Sequence, residues 1–173
     1  VVLASNHLLL QLVSFAAFFL DGYAFVVEAL VGKARGAGRA ELYHLAVVRS
    51  TVLAAATAVF LALGLLFCGS ALIALLTDIE PVREASAPLL GYAVIYVAVS
   101  FGAFQLDGIF IGLSATREMR NAAIHSIVVY FMAWWLLTPT FGVEGLWAAM
   151  IIYVIARAAA LGRYYPRLNK LVG

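Results

Sequence analysis

Residues 15–36 read FAAFFLDGYAFVVEALVGKARG, and residues 100–112 read SFGAFQLDGIFIG. Each is an apolar run interrupted by the same triplet, Leu-Asp-Gly, which sets Asp21 and Asp107 among neighbours that prefer oil to water. A carboxylate at bilayer depth is expensive, and it usually faces a partner or a water-filled path rather than lipid. Two of them predict a machine that moves something across a membrane.

The composition agrees. Hydrophobic residues make up 65% of the 173 and charged residues only 12%. A soluble domain is nearer half apolar and a quarter charged, and could not hide this much apolar surface. Five membrane-spanning helices are predicted, over 3–31, 45–76, 88–114, 122–137 and 145–161, in one all-α, polytopic domain covering 1–173. The chain opens on Val1 with no signal peptide, and is expected to be a fragment of a longer protein. The lone Cys68 reads as a small buried hydrophobe.

Orientation follows from the basic residues. Lys33, Arg35, Arg39, Arg49, Arg117, Arg120, Arg157, Arg163, Arg167 and Lys170 fall on one side if five spans alternate, and Arg83 stands alone on the other. The positive-inside rule then puts the C-terminus in the cytoplasm, in a multi-pass protein of the inner (cytoplasmic) membrane. Trp134, Trp135 and Trp147 fall toward the outer interface, as an aromatic belt would.

Polar residues line up along two spans. His7, Ser14, Asp21 and Glu28 recur every seven residues, which returns a helix to within about 20° of the same face. Ser100, Asp107 and Ser114 repeat the spacing, with Tyr96 near that face. Counting to Lys33 and Arg117, both aspartates lie roughly 15–18 Å from the charged edge, near the midplane. Ionising a carboxylate costs more in oil than in water, so such a group can take up and release a proton or hold a sodium ion. Either event changes the local charge and can bias a conformational equilibrium. Asp107, Asp21 and Glu28 are therefore the candidate coupling residues. Ser14, Tyr23, Tyr96, Ser100 and Ser114 are candidates for a cavity lining, alongside aromatics such as Phe15, Phe18, Phe101 and Phe104. His125 and His44 read as interfacial or solvated. No zinc-protease, nucleotide or CxxC motif is present, so neither an enzyme nor a bound metal or cofactor is expected. The basic GKARGAGR lacks the aromatic interleaving of a nucleic-acid site.

The strings FFLDGYAFVVEALVGKARGAG, FQLDGIFIG followed by TREMRNA, and FGVEGLWAAMIIYVIARAAA resemble the multidrug and toxic compound extrusion (MATE) family, in particular its DinF-like branch. The resemblance implies twelve helices in two pseudo-symmetric lobes, with this chain supplying helices eight to twelve. It implies an N-terminal lobe and a seventh helix elsewhere in a full-length protein. It also implies export of cationic or amphipathic compounds in exchange for protons or sodium, with Asp107 at the place of a coupling carboxylate on the tenth helix. Two other readings stay open: a flippase for lipid-linked sugars of the same superfamily, and a non-transporting membrane module or scaffold.

Overall fold

The computed structural model describes residues 1–169, and Lys170, counted above among the basic charges, lies outside them. The chain forms helices α1 (Val2–Gly36), α2 (Ala40–Leu76), α3 (Glu80–Ser86), α4 (Leu90–Gly112), α5 (Thr116–Phe141) and α6 (Val143–Asn169). A single 3-10 turn, Ala87–Leu89, joins α3 to α4, so that Glu80–Gly112 forms one span. The described residues contain no strand, and five spans are long and apolar enough to cross a membrane.

The spans outrun the sequence boundaries. At about 1.5 Å per residue they reach roughly 40–55 Å, past the ~30 Å hydrocarbon core into the headgroups. Pro139 does not end α5 where expected. It sits two residues before Phe141, so it removes one hydrogen bond from the final turn, and Gly142, at φ +57°, makes the stop. Pro166 likewise lies inside α6.

The seam between α1 and α4 organises the bundle. A Cβ on Gly108 would stand 2.3 Å from the Ala24 carbonyl oxygen, and one on Gly112 would stand 2.5 Å from that of Glu28. Only glycine lets the two backbones come this close, and in lipid such contact replaces the hydrophobic drive that water supplies. One apolar cluster lies toward the basic end, with Val27, Val31, Tyr43, Ile109, Phe110 and Leu161. A second lies toward the other end, with Leu9, Val13, Leu65, Val97 and Trp147.

Polar contacts fix the pairing of the helix ends. The Trp147 indole N–H donates to Asn6 Oδ1 at 2.8 Å, which sets the start of α6 beside the start of α1. Trp147 is thus buried in the bundle and does not join an aromatic belt, whereas Trp134 and Trp135 are exposed. At the basic end, Arg35 donates to the Leu113 carbonyl, which ties the end of α1 to the α4–α5 turn. Arg83 donates to the Ala74 and Thr77 carbonyls at 2.9 and 2.8 Å, closing the C-terminus of α2. Cys68 is exposed, contrary to expectation. The next residue, Gly69, packs on Leu90 of α4 and turns Cys68 to the outer face beside Phe67. Large apolar side chains such as Phe18, Phe60 and Leu75 are open all round the bundle, as a lipid-bathed surface requires.

Candidate functional site

Asp107 precedes Gly108 on α4. One residue is about 100° of helix, so when Gly108 faces α1 its neighbour turns toward α6. There Arg157 meets it. Arg157 Nη2 lies 2.7 Å from Asp107 Oδ1, and Nε lies 3.4 Å from Oδ2, in a two-pronged ion pair. A third guanidinium nitrogen, Nη1, points at the Met119 carbonyl in the first turn of α5, 3.5 Å away. The Arg157 side chain is 14% exposed and that of Asp107 31%. The pair therefore sits partly desolvated between three helices, and each charge answers the other's cost. Beside it lies a cleft of about 170 Å³, walled by Tyr96, Phe104, Tyr153 and Val154.

The sequence puts Arg157 among the basic tail charges, because it predicts that the fifth span stops at 161. With α6 running to Asn169, Arg157 stands fourteen residues from one end and twelve from the other. It is a mid-helix cation, not a loop cation. Asp107 is also nearer the basic end than expected. Five residues, about 8 Å of helix, separate it from the end of α4, because α4 stops at Gly112 in a tight reversal.

The other candidates scatter. Asp21 and Glu28 are half-buried on α1, with no side-chain hydrogen bond or ion pair among the described residues, and neither lines the Asp107 cleft. Tyr96 does line it. Ser100 is buried and donates to its own helix, to the Val97 carbonyl at 3.0 Å, and it is not among the residues that wall the Asp107 cleft. Ser114 is not on the stripe at all. The helix ends two residues earlier, and Ser114 sits in the α4–α5 turn at φ +54°. Ser14 is exposed beside His7 and Phe18, in a shallow groove near the start of α1. Tyr23 lies between α1 and α2, where it lines a crevice between the two helices and its hydroxyl accepts from Thr57 Oγ1 at 2.9 Å.

Two features escape a reading of the sequence. The first is the partner of Asp107. Its signal is present: Arg157 is flanked by apolar residues on both sides, six positions before the next arginine. The second is a buried polar knot. Gln105, 2% exposed, donates to Ser50 Oγ at 2.7 Å, and Ser50 in turn donates to the Tyr23 carbonyl at 3.4 Å. It joins α1, α2 and α4 at a point two residues before Asp107 on α4. Gln105 reads in sequence as one polar residue in an apolar run, and nothing local names its partners.

Comparison with known proteins settles the family. The chain matches the MatE family over residues 1–136. The chain belongs to the MatE family. It is also 32% identical, over 171 residues, to DNA damage-inducible protein F of Escherichia coli (strain K12). That match covers 96% of this chain and 36% of the relative, so the chain spans about a third of that protein's length. No solved structure matches. MatE proteins are membrane transporters, and the five long apolar helices described above fit a multi-pass membrane protein of that family.

Proposed function

We propose that this chain is the ion-coupled portion of a MATE-type antiporter that exports cationic or amphipathic compounds, with its C-terminus in the cytoplasm of a cell with an inner membrane. The Asp107–Arg157 pair carries this reading. A two-pronged ion pair held at 2.7 Å between α4 and α6, beside an aromatic cleft, is a charge switch. Protonating Asp107 leaves Arg157 as a lone, partly desolvated cation, which then favours any arrangement that lets it reach water. A sodium ion or an organic cation competes with Arg157 for the same two oxygens and gives a similar push. Each event loosens α4 from α6 by the free energy of the pair, and no more than that free energy is available to shift the populations of two conformations. Asp21 and Glu28, without partners among the described residues, serve as secondary acids on α1. Membrane family, mid-helix charge and adjoining aromatic walls all support the reading. Proton or sodium is the coupling ion, and no bound cofactor takes part.

The test is transport by the protein as encoded, in proteoliposomes, using a fluorescent organic cation and imposed proton or sodium gradients. Asp107→Asn is expected to abolish gradient-driven export while leaving the protein folded. Export by Asp107→Asn that still follows either gradient would remove Asp107 from the mechanism.

A further inference from the structure

The crevice between α1 and α2 is unrelated to the charge switch. It holds about 400 Å³. Its walls include Val26 and Leu30 from α1 and Leu42, Leu45 and Leu53 from α2, with Tyr23 and Ser50 also lining it, and among the described residues its only charged lining residues are Lys33 and Arg49. Among the described residues, no carboxylate lines it. Neither cation is in an ion pair among the described residues, whose two ion pairs use Arg83 and Arg157. Lys33 stands three residues before the end of α1, about 5 Å of helix, and Arg49 nine residues after the start of α2, about 14 Å. Both belong to the same end of the bundle, and both side chains are long enough to snorkel toward the headgroup layer.

An apolar trough between two membrane-spanning helices that carries two unneutralised cations, Lys33 near its basic end and Arg49 about 9 Å further in, matches one kind of occupant. We infer that the α1–α2 crevice binds an anionic phospholipid, with its phosphate between Lys33 and Arg49, both side chains reaching toward the basic end, and one acyl chain running inward along Leu30, Val26 and Leu53. The charge argues against a zwitterionic lipid, whose own cation would meet no acid here. The leucine walls argue against a free anion, which gains nothing from them. Basic pockets between helices at the cytoplasmic leaflet suit acidic headgroups for this reason.

Native mass spectrometry of the delipidated protein as encoded tests this, with phosphatidylglycerol and phosphatidylcholine of identical acyl chains as probes. One phosphatidylglycerol is expected to be retained, in preference to phosphatidylcholine. Lys33→Gln with Arg49→Gln should weaken that binding roughly 30-fold, at about a fivefold loss per charge. Both residues are exposed, so the double variant should fold, and Lys33→Arg with Arg49→Lys should restore retention. Leu45→Trp, which fills the trough, should abolish it. Arg163→Gln with Arg167→Gln, in the basic cleft between α5 and α6, should leave it unchanged. Equal retention of the two lipids would overturn the proposal. So would retention untouched by the Lys33/Arg49 change or by Leu45→Trp, as when another segment of the protein covers the crevice. Loss through the Arg163/Arg167 change would reassign the effect to diffuse basic charge and overturn it as well.

Discussion

Leu20-Asp21-Gly22 and Leu106-Asp107-Gly108 are the same three residues, each in a long apolar helix, yet they do different work. Around Gly22 there is open space, with no atom within 4 Å of where a Cβ would be. Around Gly108 the Ala24 carbonyl oxygen would be 2.3 Å from it and Val27 Cγ1 2.9 Å. Asp21 has no ionic partner among the described residues, and Asp107 has Arg157. The triplet sets a local pattern only: an acid one step round the helix from a gap. Whatever helix packs on the gap decides where the acid points. In α4 the gap is filled by α1, and the acid is handed to α6.

The largest effect that would break this contrast comes from the glycines. Gly108→Val should cost about 3 kcal/mol or more, since the new side chain meets backbone that cannot yield without separating α1 from α4. Gly22→Val meets nothing and should stay within about 0.5 kcal/mol. Unfolding in a graded denaturing detergent reads both. Similar losses for the two variants would mean that the α1–α4 seam does not hold the bundle.

Next comes the charge. Arg157→Met should destabilise by about 2 kcal/mol, less than the ~3–5 of a wholly buried broken pair, because Asp107 keeps about a third of its exposure. Asp107→Leu combined with Arg157→Leu should recover most of that loss, since no uncompensated charge remains. Asp21→Asn should shift stability by no more than about 0.5 kcal/mol. A double-mutant cycle on Asp107 and Arg157 isolates the coupling. Additive losses would show that the two side chains meet without stabilising each other.

Much of this is legible in the sequence. Hydropathy locates five spans, because each is a long run with few charges. The period of seven places Asp21 and Glu28 on a shared face that stays only half-buried. What sequence periodicity cannot give is which neighbour covers a face. A stripe angle is measured about one helix axis, while Arg157, Gln105 and Trp147 take their roles from contacts 50, 55 and 141 residues away. Cys68 and Trp147 show the same blindness in opposite directions: one apolar-looking site faces outward, and one belt-like tryptophan faces inward. Ser114 fails for a different reason. Two residues of misjudged helix end are enough to move it from a face to a turn.

The turn at Ser114 has its own counterpart downstream of the other triplet. After Asp21, α1 closes with Gly38 at φ +63°, where the Arg39 N–H bonds the Ala34 carbonyl and the Gly38 N–H that of Arg35. After Asp107, α4 closes with the same two bonds, from Ala115 to Phe110 and from Ser114 to Ile111, at 2.9 and 2.8 Å. The left-handed position is glycine in one reversal and Ser114 in the other. A residue with a Cβ pays about 1–2 kcal/mol to stand there, and glycine loses about 0.4–1 kcal/mol more entropy on folding. Ser114→Gly should therefore raise stability by about 0.5–1 kcal/mol, and Gly38→Ser should lower it by a similar amount, both read as midpoint shifts in the same detergent titration. Ser114 is exposed and its hydroxyl makes no hydrogen bond among the described residues, so no lost contact offsets the gain. A Ser114→Gly variant no more stable than its parent would mean that the hydroxyl is engaged in the assembled protein, and that the α4–α5 reversal beside the charge pair is strained to keep it there.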